Sequence, residues 1–210
     1  MRLRSIKNSN DIIKNSKMIV TNPEKHIKKW NELFQNLNPI HIEIGMGKGQ
    51  FIKNNTLSNP NINYIGIEKF DNVMARAIKK LEDDKISNLK LIVLDALRID
   101  EVFSQEIDTI YLNFSDPWPK NKHEKRRLTS FDFLTKYDKI FKNYPNIIFK
   151  TDNKNLFEYS LKSLTDYGYK IKEISLDLHD SLIKDIITTE YEDKFITKGC
   201  NIYYCSFSKK

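Results

Sequence analysis

Residues 40–49 read Ile-His-Ile-Glu-Ile-Gly-Met-Gly-Lys-Gly, and this stretch decides the fold class of the chain. Its first half is rich in β-branched residues and predicts a strand, whereas its glycines predict a tight turn. Glycines at such a turn let a ligand approach the backbone at the start of a helix. The spacing is Gly-x-Gly-x-Gly rather than the Gly-x-Gly-x-x-Gly of dinucleotide-binding proteins, so alone it indicates either a ligand site or simply a turn.

Strand-like and helix-like patterns alternate along the rest of the chain. Runs rich in β-branched and aromatic residues predict strands at residues 40–44, 62–67, 89–94, 107–114, 146–150, 169–176 and 202–207. Apolar residues at helical spacing predict helices between them, and Thr129-x-x-Asp132 predicts a capping box for one of these helices. This alternation predicts an α/β fold with a mostly parallel sheet, helices on both faces and an antiparallel last strand.

The segment before the first predicted strand is basic and weakly patterned. Its cationic residues are Arg2, Arg4, Lys7, Lys14 and Lys17. They form either an arm that contacts phosphates or a frayed terminus. Residues 21–24 predict a helix start, and apolar residues continue at helical spacing to residue 37. We expect one domain over residues 1–210, with a basic arm and helix in residues 1–39 and the core in residues 40–210.

The composition fits a folded protein with an acidic partner. Hydrophobic residues make up 40% of the 210 residues, and the net charge is +7. This charge indicates a nucleic acid partner, or else a compositional bias that spreads lysines over a solvated surface. No apolar run approaches the ~20 residues that cross a bilayer, and the N-terminus lacks the apolar core of a signal peptide. The two cysteines fit a reducing compartment, so we expect a cytoplasmic protein.

An acidic residue closes each of the first five predicted strands. These residues are Glu43, Glu68, Asp95, Asp116 and Asp152. Ligands of open α/β sheets bind at the carboxyl ends of the strands, where Glu68 is placed to accept from ribose hydroxyls and Asp95 from an adenine amino group. Any one of these acids could be a helix cap or a solvated turn residue, but five in register indicate a shared site.

The charge of this site favours one ligand class. A pyrophosphate cofactor would be repelled by so many carboxylates with only Lys48 nearby, whereas S-adenosylmethionine carries a cationic amino group, a sulfonium and no phosphate. The pattern therefore predicts a Rossmann-like class I S-adenosylmethionine-dependent methyltransferase. The candidate cofactor-binding residues are Glu43, Gly45, Gly47, Glu68, Asp95 and Asp116.

The loop after the fourth predicted strand carries the clue to the substrate. Residues 113–120 read Asn-Phe-Ser-Asp-Pro-Trp-Pro-Lys, and residues 121–127 are strongly basic. Two prolines stiffen the loop, and Trp118 either stacks on a base or plugs the base of the loop. The cationic residues either contact nucleic acid phosphates beside the cofactor or form an exposed basic helix start.

These residues make the chain similar to a known family. Residues 113–120, 123–128, 149–152 and 189–192 resemble the motifs of the bacterial tRNA (guanine-N7-)-methyltransferase family, in order and over nearly all of residues 40–207. The resemblance implies transfer of a methyl group from S-adenosylmethionine to N7 of a variable-loop guanosine, usually at position 46. Met46 departs from the family, which often has a small residue there, and the N-terminal part matches only loosely.

Roles can be carried over to the matching positions. The resemblance implies that Glu43, Glu68, Asp95 and Asp116 hold the cofactor, and we expect Asp116 to be the catalytic residue beside the transferred methyl group. It implies substrate contacts at Lys120, Asp152, Thr189, Glu190, Tyr191 and Glu192. It implies an RNA-interacting segment of Lys122, His123, Glu124, Lys125, Arg126 and Arg127.

Three other functions compete with this interpretation. The main alternative is a non-catalytic RNA-binding protein that retains the methyltransferase fold. A dinucleotide-dependent oxidoreductase would need a different glycine spacing and fewer acids, and a methyltransferase acting on protein or small molecules would not need the basic segment. No Cys/His cluster has metal-ligand spacing, so we expect no metal. With tRNA as the partner, we expect either a monomer or a homodimer.

Overall fold

Seven strands form one sheet in the computed structural model, which describes Ile6, residues 8–82 and residues 86–209. The strands are β1 Ile40–Ile44, β2 Asn63–Glu68, β3 Leu89–Val93, β4 Ile107–Asn113, β5 Phe141–Thr151, β6 Lys170–Ser175 and β7 Tyr203–Ser208. Their order across the sheet is β3-β2-β1-β4-β5-β7-β6. β1 to β5 run parallel, and β7 lies antiparallel between β5 and β6. The predicted α/β class and the antiparallel last strand are confirmed.

Helices cover both faces of this sheet. They are α1 Ser9–Asn15, α2 Trp30–Phe34, α3 Gln50–Ser58, α4 Asp71–Leu81, α5 Phe131–Ile140, α6 Lys154–Asp166 and α7 Glu190–Ile196. One apolar core lies between the sheet and α2, α5 and α6, and a second lies between the sheet and α1, α3 and α4. β2 contributes to both cores, because Ile65 and Ile67 belong to the first core while Tyr64 belongs to the second.

The strand order reverses between β1 and β4. From β1 the chain builds outward through β2 and β3, and then it returns to pair β4 with the other side of β1. Ile42 therefore lies between Ile65 of β2 and Ile110 of β4. The loops that follow β1 and β4 leave in opposite directions, which opens a crevice at the carboxyl end of the sheet.

The N-terminal prediction of one helix over residues 21–37 is wrong. The structure has a 3-10 helix at Pro23–His26 and the short α2, because Lys28 and Gln35 adopt left-handed backbone conformations that interrupt and end a helix. Arg2, Arg4 and Lys7 of the predicted basic arm lie outside the described residues. Residues 8–20 are folded, since α1 packs against α4 and the Val20 N–H donates to the Leu91 carbonyl at 2.9 Å.

The predicted capping box at Thr129 is also wrong. Ser130 precedes α5, and the hydroxyl of Thr129 is buried against the hydroxyl of Ser160 at 2.7 Å. A serine on α6 therefore provides the hydrogen bond that the local pattern had assigned to the α5 backbone. Among the described residues, no helix is long and apolar enough to cross a membrane.

Trp30 ties the N-terminal region to the sheet. Its side chain is fully buried, its Nε1–H donates to the Val102 carbonyl at 2.9 Å, and its ring lies 5.0 Å from the ring of Phe103. We expect Trp30→Ala to lower the free energy of unfolding by about 3–5 kcal/mol, because it leaves a large cavity. Trp30→Phe keeps an aromatic ring and should lose less. Urea unfolding followed by circular dichroism measures both variants, and equal losses would contradict the cavity explanation.

Candidate active site

A cleft of about 610 Å³ opens at the carboxyl ends of β1 to β4. It lies at the crevice where the strand order reverses, and its wall includes Gly45 after β1, Glu68 at the end of β2 and Asp95 after β3. The loop after β4 closes the remaining side with Asp116 and Trp118. The structure therefore brings together four of the sequence elements that were predicted to share a site.

The glycine turn after β1 has the open geometry of a ligand cradle. Gly45 and Gly47 adopt φ of 77° and 59°, and a Cβ atom added to either would meet no atom within 4 Å. The N–H groups of Gly45 and Met46 both donate to the Ile67 carbonyl, which fixes the turn against β2. The Met46 side chain is buried in the core against Gly66, so it points away from this open side of the turn.

Glu68 is held in the cleft wall by backbone donors. Its carboxylate accepts from the N–H groups of Gly47 at 3.2 Å, Lys69 at 2.8 Å and Phe70 at 3.0 Å. Burial raises the pKa of this carboxyl group, and the three backbone hydrogen bonds oppose that rise. The carboxylate thus connects the glycine turn to the start of α4 in one fixed orientation.

The other two acids of the cleft are more accessible to solvent. Asp95 accepts from the Leu97 N–H at 3.0 Å and pairs with the Lys69 ammonium at 2.8 Å, and this lysine lowers its pKa. Asp116 is exposed at the mouth of the cleft. The half-exposed side chains of Phe70 and Leu97 also line the cleft, so it offers apolar surface between the carboxylates.

Glu43 lies beneath the cleft rather than in its wall. Its side chain is buried, and its Oε1 accepts from the Asn113 Nδ2–H at 2.9 Å. Asn113 does line the cleft, and it is a site residue that the sequence analysis missed. Among the described residues, neither Glu43 Oε2 nor Asn113 Oδ1 has a hydrogen-bond partner. Within the part of the chain that the structure describes, two buried oxygen atoms therefore lack a partner at the point where β1 and β4 meet.

A buried ion pair fixes the segment that contains α7. The Lys150 ammonium of β5 donates to Glu192 Oε2 at 2.5 Å and to the Ile187 carbonyl at 2.9 Å. His179 Nε2 contacts the other Glu192 oxygen at 2.9 Å. Thr189 caps α7 in a capping box with Glu192, and both residues are buried. Thr189 and Glu192, which the resemblance assigned to the substrate, thus hold α7 against the sheet.

Three further predicted substrate residues lie on the α7 side of the cleft but do not line it. The Tyr191 hydroxyl donates to Asp152 Oδ2 at 3.1 Å, and its ring lies 5.0 Å from the ring of Phe114 in the cleft wall. Glu190 pairs with Lys80 of α4 at 2.6 Å. α7 therefore brings Tyr191 and Glu190 to the same end of the sheet as Asp116.

The basic segment forms a 3-10 helix, Asn121–Arg126, beside the cleft. Its exposed members are Asn121, Lys122, Glu124, Lys125 and Arg126, and Lys120 just before it is exposed too. The Arg126 guanidinium lies 4.9 Å from the centre of the Trp118 ring, and the His123 ring lies 5.8 Å from it on tilted planes. Trp118 is half-buried and lines the cleft, so the segment is attached directly to the cleft wall.

Comparison with known proteins gives a consistent family assignment. Residues 37–205 match a family model described as "Putative methyltransferase". A tRNA (guanine-N(7)-)-methyltransferase of Bacillus subtilis is 49% identical over 205 residues, covering 97% of this chain and 96% of its own length. That of Alkaliphilus oremlandii is 47% identical over 206 residues and covers 98% of both chains.

The chain belongs to the tRNA (guanine-N(7)-)-methyltransferase family. Its fold is shared with solved methyltransferases that are less similar in sequence. An antibiotic-related methyltransferase superposes with a TM-score of 0.63 at 20% identity over 86% of this chain and 92% of its own. A 16S rRNA (adenine(1408)-N(1))-methyltransferase variant from Catenulisporales acidiphilia, solved with its cosubstrate SAM, gives 0.61 at 12% identity over 90% and 92%.

The described part of this family member contains no cluster of three or more His, Cys, Asp or Glu side chains that could hold a metal ion. Backbone N–H groups instead satisfy Glu68 of the cleft, and Lys69 pairs with Asp95. The accessible acids and the apolar walls of the cleft suit a cationic organic ligand.

Burial gives Glu43 a distinctive pH dependence. It raises the pKa of this carboxyl group from 4.5 to about 8, so between these values the folded protein holds a proton that the unfolded chain has lost. Stability therefore falls as pH rises through this window. Glu43→Gln should remove this loss. We therefore expect the unfolding free energy of the variant, relative to that of the unsubstituted protein, to increase by about 1.4 kcal/mol for each pH unit of the window.

Urea unfolding of both proteins between pH 5 and pH 8 measures this difference. Glu158→Gln on α6 is the matched control, since it removes a carboxylate whose side chain is 61% exposed. Parallel stability profiles for Glu43→Gln and the unsubstituted protein would show that Glu43 is ionised in the folded state.

Proposed function

We propose that this chain transfers a methyl group from S-adenosylmethionine to N7 of a guanosine in the tRNA variable loop, usually at position 46. The observation that carries the proposal is the placement of an exposed basic segment directly on the wall of an acid-lined cleft. The family membership supports the same substrate class, since the relatives are named for tRNA guanine N7.

The cleft fits S-adenosylmethionine on chemical grounds. Its amino group can donate to an accessible acceptor of the cleft lining such as the Asp116 carboxylate, and it carries no phosphate that the acids would repel. A volume of about 610 Å³ with carboxylates and apolar walls suits a nucleoside. The residues that would hold it are Glu43, Gly45, Gly47, Glu68, Asp95 and Asp116. When bound, it supplies an electrophilic methyl group on a sulfonium.

The protein's part in this reaction is mainly positioning. Guanine N7 has a lone pair and no proton, so the nucleophile needs no base to activate it. Holding the two reactants in line can contribute up to roughly 7–11 kcal/mol to the rate. Asp116 at the cleft mouth would orient the guanine and stabilise the positive charge that develops on the purine. The stiff loop around it keeps this carboxylate in place.

The α7 side of the mouth would recognise the guanine. The N1–H and amino groups of guanine are donors, and adenine does not present this pair, so carboxylates opposite them select guanine. Asp152 and Glu190 are the candidate acceptors, and Tyr191 orients Asp152 through its hydroxyl. Thr189 and Glu192 contribute by fixing α7, and Lys120 would contact the phosphate beside the guanosine.

The exposed basic side chains would bind the tRNA backbone. Lys122, Lys125 and Arg126 face solvent beside the cleft, where cations can displace counterions from phosphates. His123 and Glu124 belong to the same turn of helix. We propose that residues 1–210 act as a single methyltransferase domain in the cytoplasm, where tRNA is modified.

The decisive experiment maps N7-methylguanosine in unmodified tRNA after incubation with the protein and donor. A single modified guanosine in the variable loop is the expected result. Donor binding without any methylated tRNA would favour the main alternative of an RNA-binding protein that retains the fold. If the protein methylates other proteins or small molecules while tRNA stays unmodified, its substrate belongs to a different class.

We expect Asp116→Asn to lower kcat by on the order of 10²–10³-fold, because the amide removes the negative charge that faces the purine. Steady-state kinetics with saturating tRNA and donor measures this loss, and thermal unfolding confirms that the fold is intact. Asp166→Asn on α6 is the matched control, since it neutralises another exposed aspartate away from the cleft. Near-normal turnover in folded Asp116→Asn would refute the role assigned to Asp116.

A further inference from the structure

Arg127 behaves differently from the other cations of the basic segment. Its guanidinium turns inward and is half-buried. Its Nε–H donates to the carbonyls of Pro117 at 3.2 Å and Trp118 at 3.3 Å, and Nη2 donates to the Trp118 carbonyl at 3.1 Å. The guanidinium also lies over the ring of Tyr159 on α6, with its Cζ 4.2 Å from the ring centre.

The two prolines restrict the loop that Arg127 contacts, but they do not fix its conformation by themselves. Pro117 and Pro119 have no N–H group to donate, so hydrogen bonds that would close a turn are missing. Phe114 and Trp118 adopt positive φ of 50° and 41°, a backbone conformation that side chains with a Cβ rarely take. Such a conformation persists only where surrounding contacts impose it, and the Arg127 guanidinium supplies these contacts at the C-terminal side of Asp116.

Arg127 is also suited to this task by its chemistry. A guanidinium is planar, donates hydrogen bonds in a fixed fork and stacks on an aromatic face. A lysine ammonium has neither this fixed donor geometry nor a plane that can stack. The neighbouring Lys122 and Lys125 are exposed and have the opposite character, since they present point charges to solvent. The segment therefore combines cations that face outward with one that faces the loop.

We propose that Arg127 is a positioning residue for methyl transfer, which clamps the Asp116 loop onto α6 through Tyr159, and is not a phosphate contact of the basic segment. This inference rests on the proposed function, because the loop is taken to orient the guanine. It differs from the role that the family resemblance gives to this position. It assigns two different roles within residues 122–127, phosphate contact for the outward-facing cations and loop positioning for Arg127.

The first test uses Arg127→Lys, which keeps the charge but loses the fork and the stacking. We expect kcat to fall about tenfold or more, since misplacing a reacting group by 1 Å costs on the order of 10²-fold. Because a lysine would still bind a phosphate, a kcat within about twofold of the unsubstituted protein would overturn the proposal.

The second test measures how tRNA affinity depends on salt. Loss of one phosphate contact lowers the slope of log Kd against log salt by about 0.7–0.9. Lys122→Met should show this decrease, whereas Arg127→Met should keep the unsubstituted slope. An equal decrease in both variants would show that Arg127 contacts a phosphate.

Tyr159 provides an independent pair of variants if substitutions at Arg127 impair folding. Tyr159→Phe keeps the ring under the guanidinium and should retain kcat, whereas Tyr159→Leu should lower it like Arg127→Lys. Equal kcat in the two tyrosine variants would contradict the clamp. Thermal unfolding of each variant identifies any general loss of structure.

A readout without substrate separates this inference from the proposed function. The chain has two tryptophans, and Trp30 is fully buried, so acrylamide quenching of fluorescence reports mainly Trp118. We expect Arg127→Lys and Tyr159→Leu to increase the quenching constant, because the loop is released. If unsubstituted protein leaves tRNA unmethylated, the proposed function fails while this loop measurement stands; unchanged quenching in both variants overturns the clamp.

Discussion

The reversal of strand order between β1 and β4 is the constraint on which the rest of the structure depends. The chain must leave these two neighbouring strands in opposite directions, so the sheet cannot cover its own carboxyl edge there. The hydrogen bond between Glu43 and Asn113 joins the two strands at this point. Every other part of the site is placed relative to this crevice, including the glycine turn on one side and the stiff loop on the other.

A buried ion pair connects β5 of the sheet to α7. Lys150 on β5 reaches Glu192 on α7 in an environment with almost no exposure to solvent. Desolvating both groups is costly, and a well-packed apolar pair would stabilise the fold at least as well. The ion pair instead fixes the orientation of α7 relative to β5, because a buried charge tolerates few positions of its partner. The helix that carries Tyr191 and Glu190 is thereby held at a fixed position above the sheet.

Local sequence signals predicted the elements well where the chain is regular. β-branched and aromatic runs located six of the seven strands to within one residue at each end, because such side chains fit the pleated surface of a sheet. The exception is β5, whose Phe141–Pro145 portion is partly exposed and carries a mixed pattern. The helix expected in residues 21–37 failed because left-handed turns at Lys28 and Gln35 leave no mark in hydrophobic periodicity.

By itself, the sequence determined the fold class, the carboxylates at the strand ends and the resemblance to a tRNA-modifying family, since all of these follow from residue type and order. Only the tertiary structure decided which of those residues face the cleft. It placed Glu43 beneath the wall and Asn113 in it, buried Glu192 against Lys150, and turned Arg127 inward while Lys122 faces out. The physical reason is that burial and orientation depend on packing between segments far apart in the chain, which no local pattern contains.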